Sequence, residues 1–150
     1  MRRPLLTAST AVGLTALVGS AGTDVGSSWY RGLDTPRWQP PGPVFGIAWT
    51  ALYALLAFAG GRLLERGDPA DARALAGNLV LNAGWTWAFF RAHRPPLAAA
   101  EAALLAASTA DLTRRAGRVD RAAGRALLPY AAWTAFATVL SAEIARRNRR

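Results

Sequence analysis

The segment from Trp29 to Tyr53 constrains this chain more than any other. It reads Trp-Tyr-Arg-Gly-Leu-Asp-Thr-Pro-Arg-Trp-Gln-Pro-Pro-Gly-Pro-Val-Phe-Gly-Ile-Ala-Trp-Thr-Ala-Leu-Tyr, and it lies between one apolar run and the start of another. Proline locks φ and has no N–H to donate, so Pro36, Pro40, Pro41 and Pro43 exclude a helix across the middle. Trp and Tyr favour the membrane–water boundary, where the ring rests in apolar surroundings and the N–H or O–H meets water. A stiff aromatic loop between two membrane spans reads as the lid of a pocket. A ligand is therefore the first thing to look for.

A chain of 150 residues is one domain's worth, here taken as residues 1–150. It is 52% hydrophobic, yet 18 basic residues face 9 acidic ones, and every basic residue is Arg. Nearly all of them flank apolar runs instead of lining one folded face, which speaks for membrane interfaces and against a nucleic-acid partner. The absence of Cys excludes disulfides and thiolate metal sites, and one His cannot build a multi-histidine metal centre. The Ala- and Arg-rich composition hints at a GC-rich bacterial genome, so the membrane expected is a bacterial cell membrane.

A bilayer core of roughly 30 Å needs about 20 apolar residues as helix. Five stretches qualify: about Leu5–Gly22, Val44–Leu64, Ala72–Phe90, Leu97–Leu112 and Ala122–Ala145. Between them lie the long loop Thr23–Pro43, a charged turn Glu65–Asp71, a tight turn Arg91–Pro96 and a basic loop Thr113–Arg121. The fold expected is all-α, an integral membrane bundle of five transmembrane helices. The first stretch also passes for a secretory signal peptide, with Arg2-Arg3 before it and small residues Ser20-Ala21-Gly22 at its end. Within it, Ser9/Gly13 and Ala16/Ser20 have the spacing of close helix contacts in lipid. Arginines divide almost evenly between the two sides, so orientation is not fixed.

Three aromatic stripes follow from helical spacing. Trp49 and Tyr53 share a face of the second span; Asn78, Asn82, Trp85 and Phe89 share one on the third; Pro129, Trp133, Phe136 and Leu140 share one on the fifth. Such stripes either pack helix to helix or enclose a flat aromatic ligand. Asn78 and Asn82 either line that pocket or bond a neighbouring helix. Glu101 lies about one turn inside the fourth span and is expected to snorkel to the interface, though an inward carboxylate is the sharper alternative. Glu143 is explained by pairing with Arg146 and Arg147. His93, in an Arg-flanked turn, suits loop packing better than iron ligation. Arg31, Arg37, Arg91 and Arg94 fall on the side of the aromatic loop, as lipid-phosphate contacts or as partners for acidic ligand groups.

Three motifs in register resemble the translocator protein family, also called tryptophan-rich sensory proteins or peripheral benzodiazepine receptors. The first is Trp29-Tyr30, Pro36-Arg37-Trp38-Gln39-Pro40-Pro41, Val44-Phe45, Trp49-Thr50 and Leu52-Tyr53. The second is Leu81-Asn82, Trp85, Phe89-Phe90 and His93-Arg94-Pro95. The third is Arg118-Val119-Asp120-Arg121-Ala122-Ala123-Gly124, Pro129-Tyr130, Trp133 and Phe136-Ala137-Thr138. The resemblance spans roughly residues 5 to 148. It implies five transmembrane helices, a first helix that is kept, a frequent homodimer, and a pocket beneath the first loop. It implies porphyrin or haem as ligand, with no separate cofactor and no metal site. It carries over a ligand-binding set of Trp38, Trp49, Tyr53, Asn82, Trp85, Phe89, Trp133, Phe136, Ala137 and Ser141. Trp49 and Trp133 match the tryptophans tied to porphyrin breakdown in members that degrade it. The functional reading is thus a tetrapyrrole-binding membrane protein in stress sensing or tetrapyrrole regulation. The alternatives are a light- and oxygen-dependent protoporphyrin-degrading enzyme, or a tetrapyrrole or sterol transporter.

The chain departs from the family pattern in places. Thr86-Trp87 replaces the usual Ser/Pro-Pro after Trp85, which should add a ring and remove a kink. Ser141 stands where Asn is common, and Glu143 and Ala145 follow where the family often has an aromatic residue. No Tyr lies between Val139 and Arg146, so nothing here favours a sterol.

Overall fold

The computed structural model describes residues 2–149; Met1 and Arg150, both counted above, lie outside them. Proline and capping residues set most of the helix starts. Helix α1 runs Arg2–Gly22, and a single turn α2 (Ser28–Arg31) follows, capped by Ser27, whose hydroxyl accepts from the Tyr30 N–H. Helix α3 (Gly42–Arg66) begins just after Pro41 with Pro43 in its first turn, where a missing N–H costs nothing. Helix α4 (Pro69–Thr86) opens on a capping box in which the Asp68 and Asp71 carboxylates each accept the other's backbone N–H. It continues as a π-helical turn, Trp87–Arg91. Then come α5 (Pro95–Val119), the short α6 (Arg121–Ala126) and α7 (Leu128–Arg147). No strand occurs among the described residues.

These elements form a helical membrane bundle, with α5 packed chiefly on α7 and α4, and α1 on α3 and α4. By length and apolar composition alone, α1, α3 and the α6–α7 stretch are each sufficient to cross a bilayer. Charged residues dilute the other two, Asp71 and Arg73 in α4 and Glu101, Asp111, Arg114 and Arg115 in α5. Leu5, Leu6, Leu14, Leu17, Ile47, Val80, Leu104 and Val139 point outward, as side chains solvated by lipid do.

Three expectations change. The basic loop Thr113–Arg121 is helical through Val119. Arg115 Nε reaches Asp111 Oδ2 at 2.7 Å, an i,i+4 pair that makes the basic run a helix face instead of a linker. Ser9 and Gly13 make no close helix contact within the chain: both face outward, and a Cβ on Gly13 would meet nothing within 4 Å. The inward stripe of α1 is instead Ala8, Val12, Thr15, Gly19 and Gly22. Finally, Thr86-Trp87 does not straighten the third span, because the π turn supplies the irregularity that proline would have introduced.

Candidate functional site

The π turn reorganises everything around it. The Ala92 N–H bonds the carbonyl of Trp87, five residues back, at 2.9 Å. The altered turn leaves Phe89 and Phe90 both buried while Thr86, Trp87 and Arg91 reach α1. Thr86 Oγ1 donates to the Gly19 carbonyl (2.7 Å), Trp87 Nε1 to Val18 (2.9 Å) and Arg91 Nη2 to Ala21 (2.9 Å). A helix end leaves carbonyls short of intrahelical partners, and these side chains join the Thr23 hydroxyl, which also donates to Gly19 (3.0 Å), in closing the end of α1. The fit is tight at Gly22, where a Cβ would stand 2.6 Å from Thr86 Oγ1 and 2.8 Å from the Trp87 ring.

Between this corner and α7 lies a cavity of about 500 Å³, within the range of small-molecule sites. One wall is built on α3 and α7. Trp49 sits 5.4 Å from Tyr53 and 6.3 Å from both Tyr130 and Trp133, and Phe45 lies 5.6 Å from Trp133 (ring centroids). The other wall is built on α4, its π turn and α2. Trp85 stacks on Phe89 at 5.3 Å, and Tyr30 packs against Phe90 at 5.2 Å. Ala102 and Leu105 of α5 and Thr134, Ala137, Leu140, Ser141 and Ile144 of α7 complete the surround. Gln39 from the loop, with Gly19, Ser20 and Thr23 from the end of α1, edges it on the loop side.

Beneath the cavity runs a chain of buried hydrogen bonds. Tyr53 donates to Asn82 Oδ1 (3.2 Å), Asn82 Nδ2 to the Tyr130 hydroxyl (2.9 Å), and Tyr130 to Asn78 Oδ1 (2.8 Å). Asn78 Nδ2 then donates to Ser108 (3.1 Å) and Thr109 (3.0 Å). Amides in an apolar span are expensive without partners, and each here has them. The two asparagines therefore divide: Asn82 lines the cavity and bonds its neighbours, whereas Asn78 serves only the bundle below.

Of the residues expected at the site, Trp49, Tyr53, Asn82, Trp85, Phe89, Trp133, Ala137 and Ser141 line the cavity. Trp38 and Phe136 do not. They pack edge to face on one another at 5.9 Å, with Trp38 still 48% exposed, although Gln39 beside it edges the cavity. Tyr30, Gln39, Phe45, Thr50, Phe90, Leu105, Thr134 and the α1 residues line it without having been singled out. Tyr30, Gln39, Phe45, Thr50 and Phe90 belonged to the quoted motifs, so the motif was the available signal. For Gly19, Ser20 and Thr23 there was none.

The loop is pinned in two places. Asn148 clasps Asp34 through both backbone groups: the Asp34 N–H donates to Asn148 Oδ1 and Asn148 Nδ2 to the Asp34 carbonyl, each at 2.9 Å. His93, at φ 53°, stacks flat on Trp29 at 4.3 Å, which is loop packing. Glu143 holds Arg146 and Arg147, each at 2.7 Å. Glu101 corrects the expectation that it snorkels. Both carboxyl oxygens are sealed from solvent with no hydrogen-bond partner among the described residues, and a Cβ on Gly84 would stand 3.6 Å from Oε1. The missing side chain at Gly84 leaves the notch that receives it. Among the described residues no cluster of His, Cys, Asp or Glu is placed to hold a metal.

The comparisons with known proteins agree with this geometry. The chain is 35% identical to the tryptophan-rich sensory protein of Cereibacter sphaeroides over 121 residues, covering 80% of this chain and 77% of that one. It is 32% identical to the translocator protein of Homo sapiens, over 82% and 76% of the two chains. It is 31% identical to the tryptophan-rich protein TspO of Chlorobaculum tepidum, over 99% of each. The profile of the TspO/MBR family matches residues 6–147, so the α3–α7 aromatic wall, the π turn and the loop above them all fall within it, and this multi-pass membrane protein belongs to the TspO/MBR family.

Proposed function

We propose that the cavity binds a tetrapyrrole such as protoporphyrin IX or haem, and that the protein serves in stress sensing or tetrapyrrole regulation. One observation carries the reading: a space of about 500 Å³ lies between two aromatic walls, Trp49–Trp133 on one side and Trp85–Phe89 on the other. Flat conjugated rings gain from offset or edge contacts on both faces, about 0.5–1.5 kcal/mol per aromatic pair beyond area burial. Arg31 and Arg37 lie on the loop side, where ligand acid groups meet solvent. Family resemblance adds the expectation of a homodimer, for which the exposed small face Ala76, Gly77 and Val80 of α4 is a fitting surface, checked by cross-linking in membranes.

A second reading is light-driven, oxygen-dependent porphyrin breakdown. Its support is the ring chain Trp133–Trp49–Tyr53, whose centroids are 6.3 and 5.4 Å apart, a path along which an oxidised indole can pass its electron vacancy. Titration of purified protein with protoporphyrin IX, dark and then illuminated in air, tests both. A shifted Soret band that persists under light means binding alone, and progressive loss means chemistry. No shift at any concentration refutes the tetrapyrrole assignment. Trp49→Phe and Trp133→Phe each keep a stacking face and should weaken binding about fivefold, or about 1 kcal/mol. If an indole radical is used, light-driven loss collapses in the same variants.

A further inference from the structure

We infer that the cavity is entered sideways from the bilayer, by a membrane-dissolved ligand that passes between α1 and α3. The inference rests on reading the cavity as a ligand site, but it stands apart from the choice of tetrapyrrole. The two helices run antiparallel and pack closely where α1 begins and α3 ends. A Cβ on Gly61 would stand 3.2 Å from Leu5, and one on Gly60 would stand 3.3 Å from Ala8. Continued along both helices, that register brings Ala16 opposite Thr50 and Ser20 opposite Gly46. Leu5 and Ala16 are 11 residues apart, as are Thr50 and Gly61, about three turns, so they keep to the facing stripes. Ser20 and Gly46 lie about one turn further on. All four residues line the cavity, and a Cβ on Gly46 would find nothing within 4 Å. The helices that touch at one end have parted at the other.

The cause lies on another face of α1. Its last turns are held to the third span by Thr86, Trp87 and Arg91, which bond the Gly19, Val18 and Ala21 carbonyls. With its end committed there, α1 leaves α3, and the gap between them runs into the cavity. Leu17 and Ile47, 69% and 74% exposed, flank that gap as lipid-facing side chains. The Thr50 and Thr23 hydroxyls are spent on carbonyls of α3 and α1, Gly46 at 2.8 Å and Gly19 at 3.0 Å. Among the described residues, none of those lining the cavity is charged. An apolar molecule moving in from lipid therefore displaces no hydrated charge. A path under the loop would instead displace a segment held by the Asn148–Asp34 clasp and by Gln39 on the Tyr30 hydroxyl.

The test exploits the absence of Cys from the chain. Leu17→Cys and Ile47→Cys, both outside the cavity lining, are combined and bridged with bis-methanethiosulfonate reagents of increasing length. Uptake of protoporphyrin IX by the protein in vesicles is followed by stopped-flow quenching of Trp fluorescence, and release by transfer to empty vesicles. Anthracene, flat and without acid groups, is run beside it. A bridge across the gap should slow uptake and release alike by about tenfold and leave affinity within about twofold, because an obstructed entrance changes both rates and not their ratio. Reduction of the bridge should restore both rates, which a damaged fold would not do. Each cysteine capped singly with methyl methanethiosulfonate should behave as wild type. Unchanged rates in the bridged protein overturn the inference, as does failure of every reagent to bridge two cysteines that each accept the cap. Slowed anthracene without protoporphyrin binding leaves the inference standing and removes the tetrapyrrole reading; protoporphyrin binding at unchanged rates does the opposite. Binding of neither probe removes the ligand site on which both rest.

Discussion

The two ends of the bundle are built on opposite plans. At the end formed by the α3–α4 and α5–α6 connections, apolar side chains fill the interior and ion pairs close it. Leu56, Leu63, Leu112 and Leu127 are almost wholly buried, and the Gly124 backbone comes so close to Gly117 that a Cβ would be 2.6 Å from its Cα. Asp71 there meets Arg115 at 3.0 Å and Arg118 at 3.7 Å, and Asp120 meets Arg62 and Arg66 at 3.3 and 3.2 Å. At the other end, large rings stand around a void under a proline-stiffened loop. The solid end holds the helices in register so that the hollow end can keep a space open without collapsing. Stability and recognition are thus allotted to different residues, and variants should separate them.

The largest effect is expected at the boundary between the two. Tyr130→Phe removes the hydroxyl that joins Asn82 to Asn78 and strands two buried amide groups, at a cost of about 3 kcal/mol. The thermal midpoint in detergent should fall markedly, while a fall no larger than that of Trp49→Phe would show that the chain beneath the cavity is not what supports it.

Asp71→Asn should cost about 1.5 kcal/mol by weakening its bond to Arg115, yet leave porphyrin affinity within about twofold of wild type. The Asp71 carboxyl belongs to the charged turn Glu65–Asp71 outside the spans. The Arg115 hydrogen bond, then the Asp68 backbone N–H, hold it below the usual carboxylate range. A depressed folded value means that its stabilisation is present above the unfolded value near about 4 and is lost as pH falls through the folded one. Midpoints measured from pH 6 downward should drop less in Asp71→Asn than in wild type. A variant that lost ligand affinity instead would break the separation of the two ends.

The smallest effect lies at the lid. Asn148→Ala releases Asp34, and should raise protease cleavage between residues 32 and 41 and weaken ligand binding about threefold, with little change in midpoint. Unchanged cleavage would mean that the prolines alone hold the loop.

Much of the hollow end was legible in the sequence, and the reason is chemical. Trp49 with Tyr53, and Trp85 with Phe89, repeat at four-residue spacing, so large rings had to share a face, while apolar composition alone marks three of the helices as long enough to cross a bilayer. What stayed hidden depends on partners distant in the chain. Gly19, Ser20 and Thr23 carry no signal of a cavity until Thr86 and Trp87 lean against α1. Glu101 looked free to reach the interface, because nothing in its own helix reveals the notch at Gly84. Trp38, the most conspicuous ring in the loop, was placed in the pocket on motif alone, whereas its packing on Phe136 is tertiary. The run from Thr113 to Arg121 was read as a loop from its charge, although Asp111 stood four residues before Arg115 and already marked a helix.

The corner where α1 ends has a consequence for how the protein is made. The carbonyl of Gly19 receives a bond from a residue 67 positions later in the chain. During synthesis the end of α1 therefore has only its local cap, the Thr23 hydroxyl on Gly19 and the Thr23 N–H on Ser20, and the bonds from Thr86, Trp87 and Arg91 are added only when the third span has emerged and its π turn has formed. The loop that becomes the lid is tethered at one side only through that interval. Nascent chains arrested before Thr86 should leave this loop open to added protease, and full protection should come only once Asn148 has emerged to clasp Asp34, so the pocket's roof is among the last features that translation sets in place.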